Sequence, residues 1–212
     1  MEKETARLEA FSDGIFGVAI TLLALDIKIP ESVEATDDVL WRSIVQLWPA
    51  YLTFFNSFAV VLLIWMGHHM IFREVRKADT RLIFLNGLML LLIALFPYPT
   101  RTIGQLAGTG AEAVATAFYA AYTGLVSLSF LLLTLRLRAT LALLVSGAGA
   151  RATLGQLARF EAIGVALYAM LALAALWWPG LALAGTCAMW LYWGLVVALG
   201  ERQGAITSGE AA

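Results

Sequence analysis

The sequence of 212 residues contains few charged side chains, one cysteine and two histidines. Only 14% of its residues are Asp, Glu, Lys or Arg, against about 25% in an average soluble domain. The formal net charge of −1 excludes a strongly basic nucleic-acid-binding protein and an acidic disordered chain. The single cysteine, Cys187, excludes an intrachain disulfide and a cysteine-cluster metal site, and two histidines leave little for a histidine-based one.

Apolar residues, in contrast, are in large excess. They make up 61% of the sequence, and the mean hydropathy is +0.82. A soluble globule of this size cannot hide that much apolar surface, so the composition indicates an integral membrane protein. The apolar runs are long and continuous, which predicts an all-α protein of membrane-spanning helices instead of a β-barrel with short alternating strands.

The uncharged runs predict six transmembrane helices. A bilayer core about 30 Å thick requires about 20 helical residues. The sequence Trp178-Pro179-Gly180 divides the longest run, because proline and glycine stop a helix. The predicted spans are residues 11–29, 43–72, 82–100, 113–135, 162–178 and 181–199. We expect one six-helix transmembrane domain over residues 1–200, a Gly/Ala-rich loop over residues 146–156 and a short cytoplasmic tail over residues 201–212.

The basic residues predict that both termini face the cytoplasm. With a cytoplasmic N-terminus, 11 of the 14 Lys and Arg residues fall on the inner side, in agreement with the positive-inside rule. The first outer loop is then acidic, and tryptophan and tyrosine residues lie near the outer ends of the spans, as interfacial aromatics do. The acidic residues are Glu31, Glu34, Asp37 and Asp38, and the aromatic ones are Trp41, Trp48, Tyr98, Trp177 and Trp178. We expect a multi-pass protein of the inner (plasma) membrane that contacts lipid and no nucleic acid.

The first span differs from the other five because it is short and bordered by carboxylates. Asp13 and Asp26 enclose 12 uncharged residues, which cover about 18 Å of helix at about 1.5 Å per residue. Ionisable groups at membrane depth usually face a bundle interior or water. We therefore expect this helix at the centre of the molecule instead of against lipid.

Two stripes run along this first helix at steps of three and four residues. The bulky stripe contains Phe11, Ile15, Val18, Leu22, Leu25 and Ile29, and the small stripe contains Ala10, Gly14, Gly17, Thr21 and Ala24. Small stripes allow close approach of helix backbones in lipid. The pattern alone leaves two interpretations open: a helix packed between neighbours, or several copies of it packed around an axis with one stripe pointing inward.

Polar residues of the first three spans fall at one predicted depth near the cytoplasmic face. They are Arg7, Ser12 and Asp13 on the first span, His68 and His69 on the second, and Asn86 on the third. Either headgroup water solvates them or they form a network, in which Arg7 and Asp13 pair across subunits or through Ser12. A histidine pair also suggests a proton relay or a metal site. Because no further His and no Cys lie nearby, the sequence argues against metal.

The opening motif Arg7-x-x-x-Phe11-Ser12-Asp13 resembles the R-x-x-x-F-S-D signature of the transmembrane protein 175 family, the lysosomal potassium channel and its prokaryotic relatives. Residues 11–27 are similar to the family's first helix nearly throughout. Ser57-Phe58 and Trp65-x-x-His68-His69-x-x-Phe72 resemble its second helix, and Asn86 with Phe96-Pro97 resembles its third. The likeness covers roughly residues 7–100, and the last three helices match only in hydropathy.

This resemblance implies a potassium-permeable cation channel, with permeant potassium ions and no cofactor. It implies a homotetramer of six-helix subunits in which the first helix of each subunit lines a central pore. By position, it implies an apolar constriction at Val18, Leu22 and Leu25 and an ion-selectivity hydroxyl at Thr21. It implies a polar support network of Arg7, Ser12, Asp13, Trp65, His68, His69 and Asn86. Val18 departs from the Ile or Leu that the family more often has, which implies a smaller apolar ring.

Four copies of Val18, Leu22 and Leu25 are expected to form stacked apolar rings. Such rings block ions by excluding water, without a moving plug. The acidic outer loop and Asp26, at the pore mouth, are expected to raise the local cation concentration. The principal alternative is a proton-coupled or ion-coupled secondary transporter, which requires a midplane site at broken helices or inverted repeats. Neither occurs in the first four spans. A membrane enzyme is disfavoured because H-E-x-x-H and G-x-S-x-G motifs are absent, and a passive structural protein stays open.

Overall fold

The structure is a computed structural model that describes residues 5–28, 36–145 and 147–208. It is all-α. Its helices are α1 (Ala6–Leu23), α2 (Asp37–Gln46), α3 (Trp48–Arg73), α4 (Thr80–Ala94), α5 (Pro97–Leu106), α6 (Glu112–Ala139), α7 (Gly147–Ala174) and α8 (Pro179–Ser208). A 3₁₀ turn (Ala24–Asp26) continues α1, and a second (Leu141–Leu143) lies between α6 and α7. Among the residues used in the sequence predictions, Ile29, Glu31, Glu34 and the side chain of Asp26 lie outside the described residues.

Within the described ranges, five helical segments are long and apolar enough to cross a bilayer. They are Trp48–Arg73, Thr80–Leu106, Glu112–Ala139, Gly149–Ala174 and Pro179–Ala198. The second of these comprises α4 and α5, which are separated by a short break before Pro97. The chain is therefore an all-α membrane protein. Helix α1 is not among the five, because its 18 residues include Arg7, Glu9 and Asp13; the sixth span stays a prediction.

Two predicted boundaries are wrong. The predicted second span, residues 43–72, is divided at Leu47 between α2 and α3, and Pro49 occupies the first turn of α3, where its missing N–H costs no hydrogen bond. The predicted loop at residues 146–156 is largely helical, because α7 begins at Gly147. Its Ala150, Leu154 and Ala158 recur at steps of four and are buried, so the segment has an apolar helical face that packs on the molecule.

The C-terminal boundary of the channel domain is not marked by a helix end. Helix α8 continues as far as Ser208, well into the segment predicted as a cytoplasmic tail. The division into a domain over residues 1–200 and a tail over residues 201–212 stays a prediction.

Helices α3 and α6 each pack against several other helices. Helix α3 contacts α1, α5 and α8, while α6 packs against α4, α5, α7 and α8. Helix α1 packs against α3 and α4. The molecule thus has one group of helices that supports α1 and a second group, α6–α8, that packs beside it.

Buried polar side chains join α3 to its neighbours. Asn56 donates to Thr186 Oγ1 on α8 at 2.9 Å and accepts from Trp190 Nε1 at 2.9 Å. Ser57 accepts from Thr100 Oγ1 at 2.7 Å and lies 3.0 Å from the Tyr119 hydroxyl on α6. Such bonds between helices hold a membrane bundle in one arrangement, because polar groups in lipid find few other partners.

Candidate pore helix and its polar support

Helix α1 is attached to its own chain by one face only. The buried residues Ser12, Phe16, Ala19 and Leu23 follow one another at steps of four, three and four. The bulky stripe lies on another face, where the residues of the predicted constriction are exposed in the single chain: 58% for Val18, 40% for Leu22 and 61% for Leu25. Ile15 of the same stripe is half-buried against the core. The residues predicted to form the constriction are therefore available for contacts outside the subunit.

The small stripe is also open. Ala10, Gly14, Gly17, Thr21 and Ala24 are exposed. A Cβ atom added at Gly14 or Gly17 would meet nothing within 4 Å, whereas one added at Gly67 would lie 3.2 Å from Phe130 Cζ. Packing within the chain thus accounts for the glycine at position 67 and not for those at positions 14 and 17.

The hydroxyl of Thr21 is turned back on its own helix. Its Oγ1 donates to the backbone carbonyl of Val18 at 2.8 Å. Because this bond uses the hydroxyl proton, the lone pairs of the exposed Thr21 oxygen are free to accept a hydrogen bond or to contact a cation.

A chain of three buried polar side chains fixes the N-terminal half of α1. Ser12 Oγ donates to Leu8 O at 2.8 Å, and Asn86 Nδ2 donates to Ser12 Oγ at 3.0 Å. Asn86 Oδ1 in turn lies 2.9 Å from Nε2 of His68. The chain joins α1, α4 and α3, and its members are the residues that the predicted topology places at one depth.

Aromatic rings enclose this chain. The His68 ring stacks on Phe72, with centroids 4.2 Å apart, and its centroid lies 5.6 Å from that of Phe16 on α1. His68 is buried, whereas its neighbour His69 is exposed. The two histidines therefore lie in different environments despite being adjacent in sequence.

A second polar contact attaches α1 to α3 at Asp13. Trp65 Nε1 donates to Asp13 Oδ1 at 2.8 Å, and the indole stacks on His69 with centroids 6.1 Å apart. Asp13 and Ser12 are consecutive, so α1 is held at two adjacent residues. Arg7 is exposed in the first turn of α1, and its pairing with Asp13, across subunits or through Ser12, stays a prediction.

Over residues 5–28, 36–145 and 147–208, no group of three or more His, Cys, Asp or Glu side chains lies close enough to hold a metal ion. The predicted role of Asp26 at a pore mouth stays a prediction, since its side chain is not described.

One polar group that the sequence predictions missed is Glu161 on α7. It is buried, its Oε1 accepts from Thr134 Oγ1 at 2.9 Å, and its Oε2 has no partner in the described part of the chain. In the sequence, Glu161 directly precedes the uncharged run of residues 162–200, and this position could have indicated a carboxyl group at the end of a membrane span. The contacts made by Asn56 were likewise not predicted.

Known proteins share both the sequence and the fold. The profile of the family described as "Endosomal/lysosomal potassium channel TMEM175" matches residues 7–97. A potassium channel of Chamaesiphon minutus is 42% identical over 119 residues, which are 56% of this chain and 59% of that protein. The human endosomal/lysosomal proton channel TMEM175 is 37% identical over 97 residues, 43% of this chain and 19% of that protein. The matched region thus spans about six tenths of the bacterial relative and a fifth of the human one.

A solved structure extends the match over the whole fold. The crystal structure of a lysosomal potassium-selective channel TMEM175 homolog from Chamaesiphon minutus superposes with a TM-score of 0.80 and 32% sequence identity. The superposition covers 92% of this chain and 98% of that one, so the helices beyond residue 97 are similar as well. The resemblance predicted from the opening motif is confirmed: the chain belongs to the TMEM175 family.

Proposed function

We propose that four copies of this chain form a potassium-permeable cation channel in the plasma membrane, with α1 of each copy lining a central pore. The observation that carries the proposal is the orientation of α1. Its buried face is held on α3 and α4, while Val18, Leu22 and Leu25 remain exposed. The names of the bacterial relative and of the solved homolog support potassium as the permeant ion.

The bulky stripe supplies the constriction. Around a fourfold axis, Val18, Leu22 and Leu25 form stacked apolar rings, and a narrow apolar ring blocks ions when it empties of water. A small rotation or dilation of α1 widens the rings, so that water enters and the pore conducts ions. The sequence contains no T-V-G-Y-G stretch of the kind that forms the filter of other potassium channels, which is consistent with a pore lined by α1.

The small stripe supplies the contact between copies. Gly14 and Gly17 have open space beside them in the single chain, so a neighbouring copy can approach the α1 backbone closely. Helix α4 and the residue that follows it also present exposed apolar side chains at steps of four, three and four: Phe84, Leu88, Leu91 and Leu95. Together these two surfaces provide an apolar seam from α1 to α4 for the adjacent subunit.

Thr21 supplies a modest ion preference. Its hydroxyl oxygen lies on α1 one residue from Leu22, and its lone pairs are free. When α1 rotates, four such oxygens replace part of the hydration shell of the passing ion. Rings of hydroxyls on an intact helix give weaker discrimination than rings of backbone carbonyls, since the helix already uses its carbonyls.

The polar chain fixes the rotation of α1. Ser12 is bonded to Asn86 and Asp13 to Trp65, so the helix has a defined angle about its own axis at its inner end. This angle decides which stripe faces the pore. With the N-terminus cytoplasmic, the start of α1, the end of α3 and the start of α4 all lie on the inner side, and both chain termini face the cytoplasm.

The experiment that tests the proposal measures potassium flux and subunit number on the same purified protein. Reconstituted in liposomes, the protein is expected to pass potassium passively down its gradient and to run as a tetramer by light scattering in detergent. A folded monomer, or a folded tetramer that passes no potassium under any membrane potential between −100 and +100 mV, would contradict it. Flux that saturates and is driven by a proton gradient would instead support the ion-coupled transporter.

A further inference from the structure

Two cytoplasmic connections of the chain lie side by side, although they are distant in sequence. The segment after α3 and the segment after α6 form an antiparallel bridge at Val75 and Leu144, both buried. Arg76 N donates to Leu143 O at 2.7 Å, and Val145 N donates to Glu74 O at 2.9 Å. The bridge joins the helices that support α1 to the α6–α8 group.

An ion pair also connects these two parts of the chain, between Asp79 and Arg136. Asp79 precedes α4 as its N-cap, and its Oδ1 accepts from the Leu82 amide at 2.8 Å. Its other oxygen, Oδ2, accepts from Arg136 Nη2 of α6 at 2.5 Å. Arg136 also donates through Nη1 to Thr140 Oγ1 at the end of its own helix. One carboxylate therefore both caps α4 and connects it to α6.

The same helix reaches the pore helix. Asn86 lies seven residues after Asp79 on α4, about 10 Å further along a continuous helix. There its Nδ2 donates to Ser12 Oγ of α1 at 3.0 Å. A connected path thus runs from Arg136 through Asp79 and the first two turns of α4 to Asn86 and Ser12.

The stability of the fold does not explain why this pair is charged. Both side chains are partly exposed, 23% for Arg136 and 36% for Asp79, and exposed ion pairs stabilise a fold little. An uncharged Asn at position 79 would cap α4 about as well. Asp79 lies within the region matched by the family profile, residues 7–97, whereas Arg136 lies beyond it.

We propose that Asp79 and Arg136 are positioning residues of the pore, through which the α6–α8 group sets the placement of α4 and thereby the rotation of α1. This inference rests on the proposed function. It gives the last three helices a role in conduction that their sequence alone does not reveal. Neither residue contacts the permeating ion; both act through Asn86 and Ser12.

The test compares Asp79→Asn, which keeps the cap and loses the charge, with Arg136→Gln, which loses the partner. Because released α1 rotates more readily, each variant is expected to raise potassium flux in liposomes by about threefold or more, as coupling through packed networks permits. The double variant is expected to match the single ones. The matched control is Arg138→Gln, which removes the same charge from an exposed position on the same helix and is expected to leave flux unchanged.

A merely structural role is distinguished by two further measurements. In a Ser12→Ala background, Asp79→Asn is expected to add no effect on flux, because the path to α1 is already cut. Hydrogen exchange of the α1 amides is expected to be faster in Asp79→Asn than in the unaltered protein, and this readout requires no conduction. Tetramer content in detergent is expected to be the same for all variants.

Each contrary result has a definite meaning. If the unaltered protein conducts and both variants conduct equally, the inference is overturned while the proposed function stands. The same holds if Asp79→Asn has its full effect in the Ser12→Ala background, or if α1 exchange is unchanged. If the unaltered protein does not conduct, the proposed function fails, and the role in pore positioning fails with it even where α1 exchange responds.

Discussion

Nε2 of His68 donates a hydrogen bond to Oδ1 of Asn86 across 2.9 Å. The direction of this bond follows from its neighbours. The Ser12 hydroxyl gives its proton to Leu8 O and so accepts from Asn86 Nδ2, which leaves Asn86 Oδ1 to face the imidazole. An amide oxygen only accepts, so Nε2 carries the proton. Three helices are joined by bonds that each have one possible direction.

The first prediction concerns this junction. Asn86→Ala removes both bonds, so the buried Nε2 of His68 loses its acceptor and the buried Ser12 hydroxyl keeps only its bond to Leu8 O. We expect the free energy of unfolding to fall by about 1–3 kcal/mol, the usual cost of unpaired buried polar groups. Thermal unfolding of the tetramer in detergent measures it. Gln105→Ala, at an exposed position, is the control. Equal stability of the two variants would show that the bonds made by Asn86 do not stabilise the fold.

The second prediction concerns the other attachment of α1. Trp65→Phe keeps an aromatic ring over His69 but removes the N–H that Asp13 accepts. Asp13→Ala removes the acceptor. Both variants are expected to reduce the fraction of assembled tetramer in detergent, with a cost of about 0.5–1.5 kcal/mol for the lost bond. Tetramer fractions equal to that of the unaltered protein for both variants would make Asp13 a residue of the membrane interface only.

The third prediction concerns the constriction. Leu22→Ala or Leu25→Ala shortens an apolar ring, so water enters more readily and potassium flux is expected to rise severalfold. Val18→Leu enlarges its ring and is expected to lower the flux. Liposome flux assays at equal protein content measure both changes. Leu191→Ala, on α8 at a position 80% exposed, provides the control and is expected to have no effect. Unchanged flux in all three constriction variants would contradict the assignment.

The fourth prediction concerns ion preference. Thr21→Val keeps the shape of the side chain and removes the hydroxyl, so the ratio of potassium to sodium permeability is expected to fall towards one. Thr21→Ser keeps the hydroxyl and is expected to keep most of the ratio. Reversal potentials under potassium and sodium on opposite sides of a bilayer give the ratio directly. A ratio that is the same for Val and Thr at position 21 would place selectivity elsewhere.

The fifth prediction concerns pH. The pKa of Asp79 lies below its ordinary value of 3.8, first because the carboxylate accepts the Leu82 amide and further because Arg136 donates to it. Since the pKa is depressed in the folded state, the contribution of the carboxylate is complete above the ordinary pKa and is lost as pH falls through the lower one. The difference in thermal stability between the unaltered protein and Asp79→Asn is therefore expected to be constant from pH 7.5 to about 5. A difference that disappears in that range would contradict the pairing.

The sequence anticipates the parts of this molecule that depend on helical periodicity. The two stripes of α1 and the common depth of Ser12, His68 and Asn86 follow from spacing and topology. The family resemblance was readable because its motif lies within one helix. The prediction of a loop at residues 146–156 is wrong because the buried positions Ala150 and Leu154 give this glycine-containing segment an apolar helical face.

Contacts that depend on how helices rotate against one another were not predictable. Asp13 accepts a hydrogen bond from Trp65, 52 residues away, and helical spacing alone does not pair these two residues. The Asp79–Arg136 pair joins two predicted loops whose proximity no periodicity indicates. These contacts are decided by the packing of α3, α4 and α6, which hydropathy does not encode.

The most direct test of the central claim asks what surrounds position 18. In a Cys187→Ser background, Val18→Cys places a single thiol on the exposed face of α1, and Leu191→Cys places one on the exposed face of α8. If α1 lines a shared pore, the thiols at position 18 cross-link subunits on mild oxidation, and cadmium blocks potassium flux in that variant alone. If position 18 faces lipid, both thiols react equally with a membrane-soluble maleimide, no subunits are cross-linked and cadmium leaves flux unchanged.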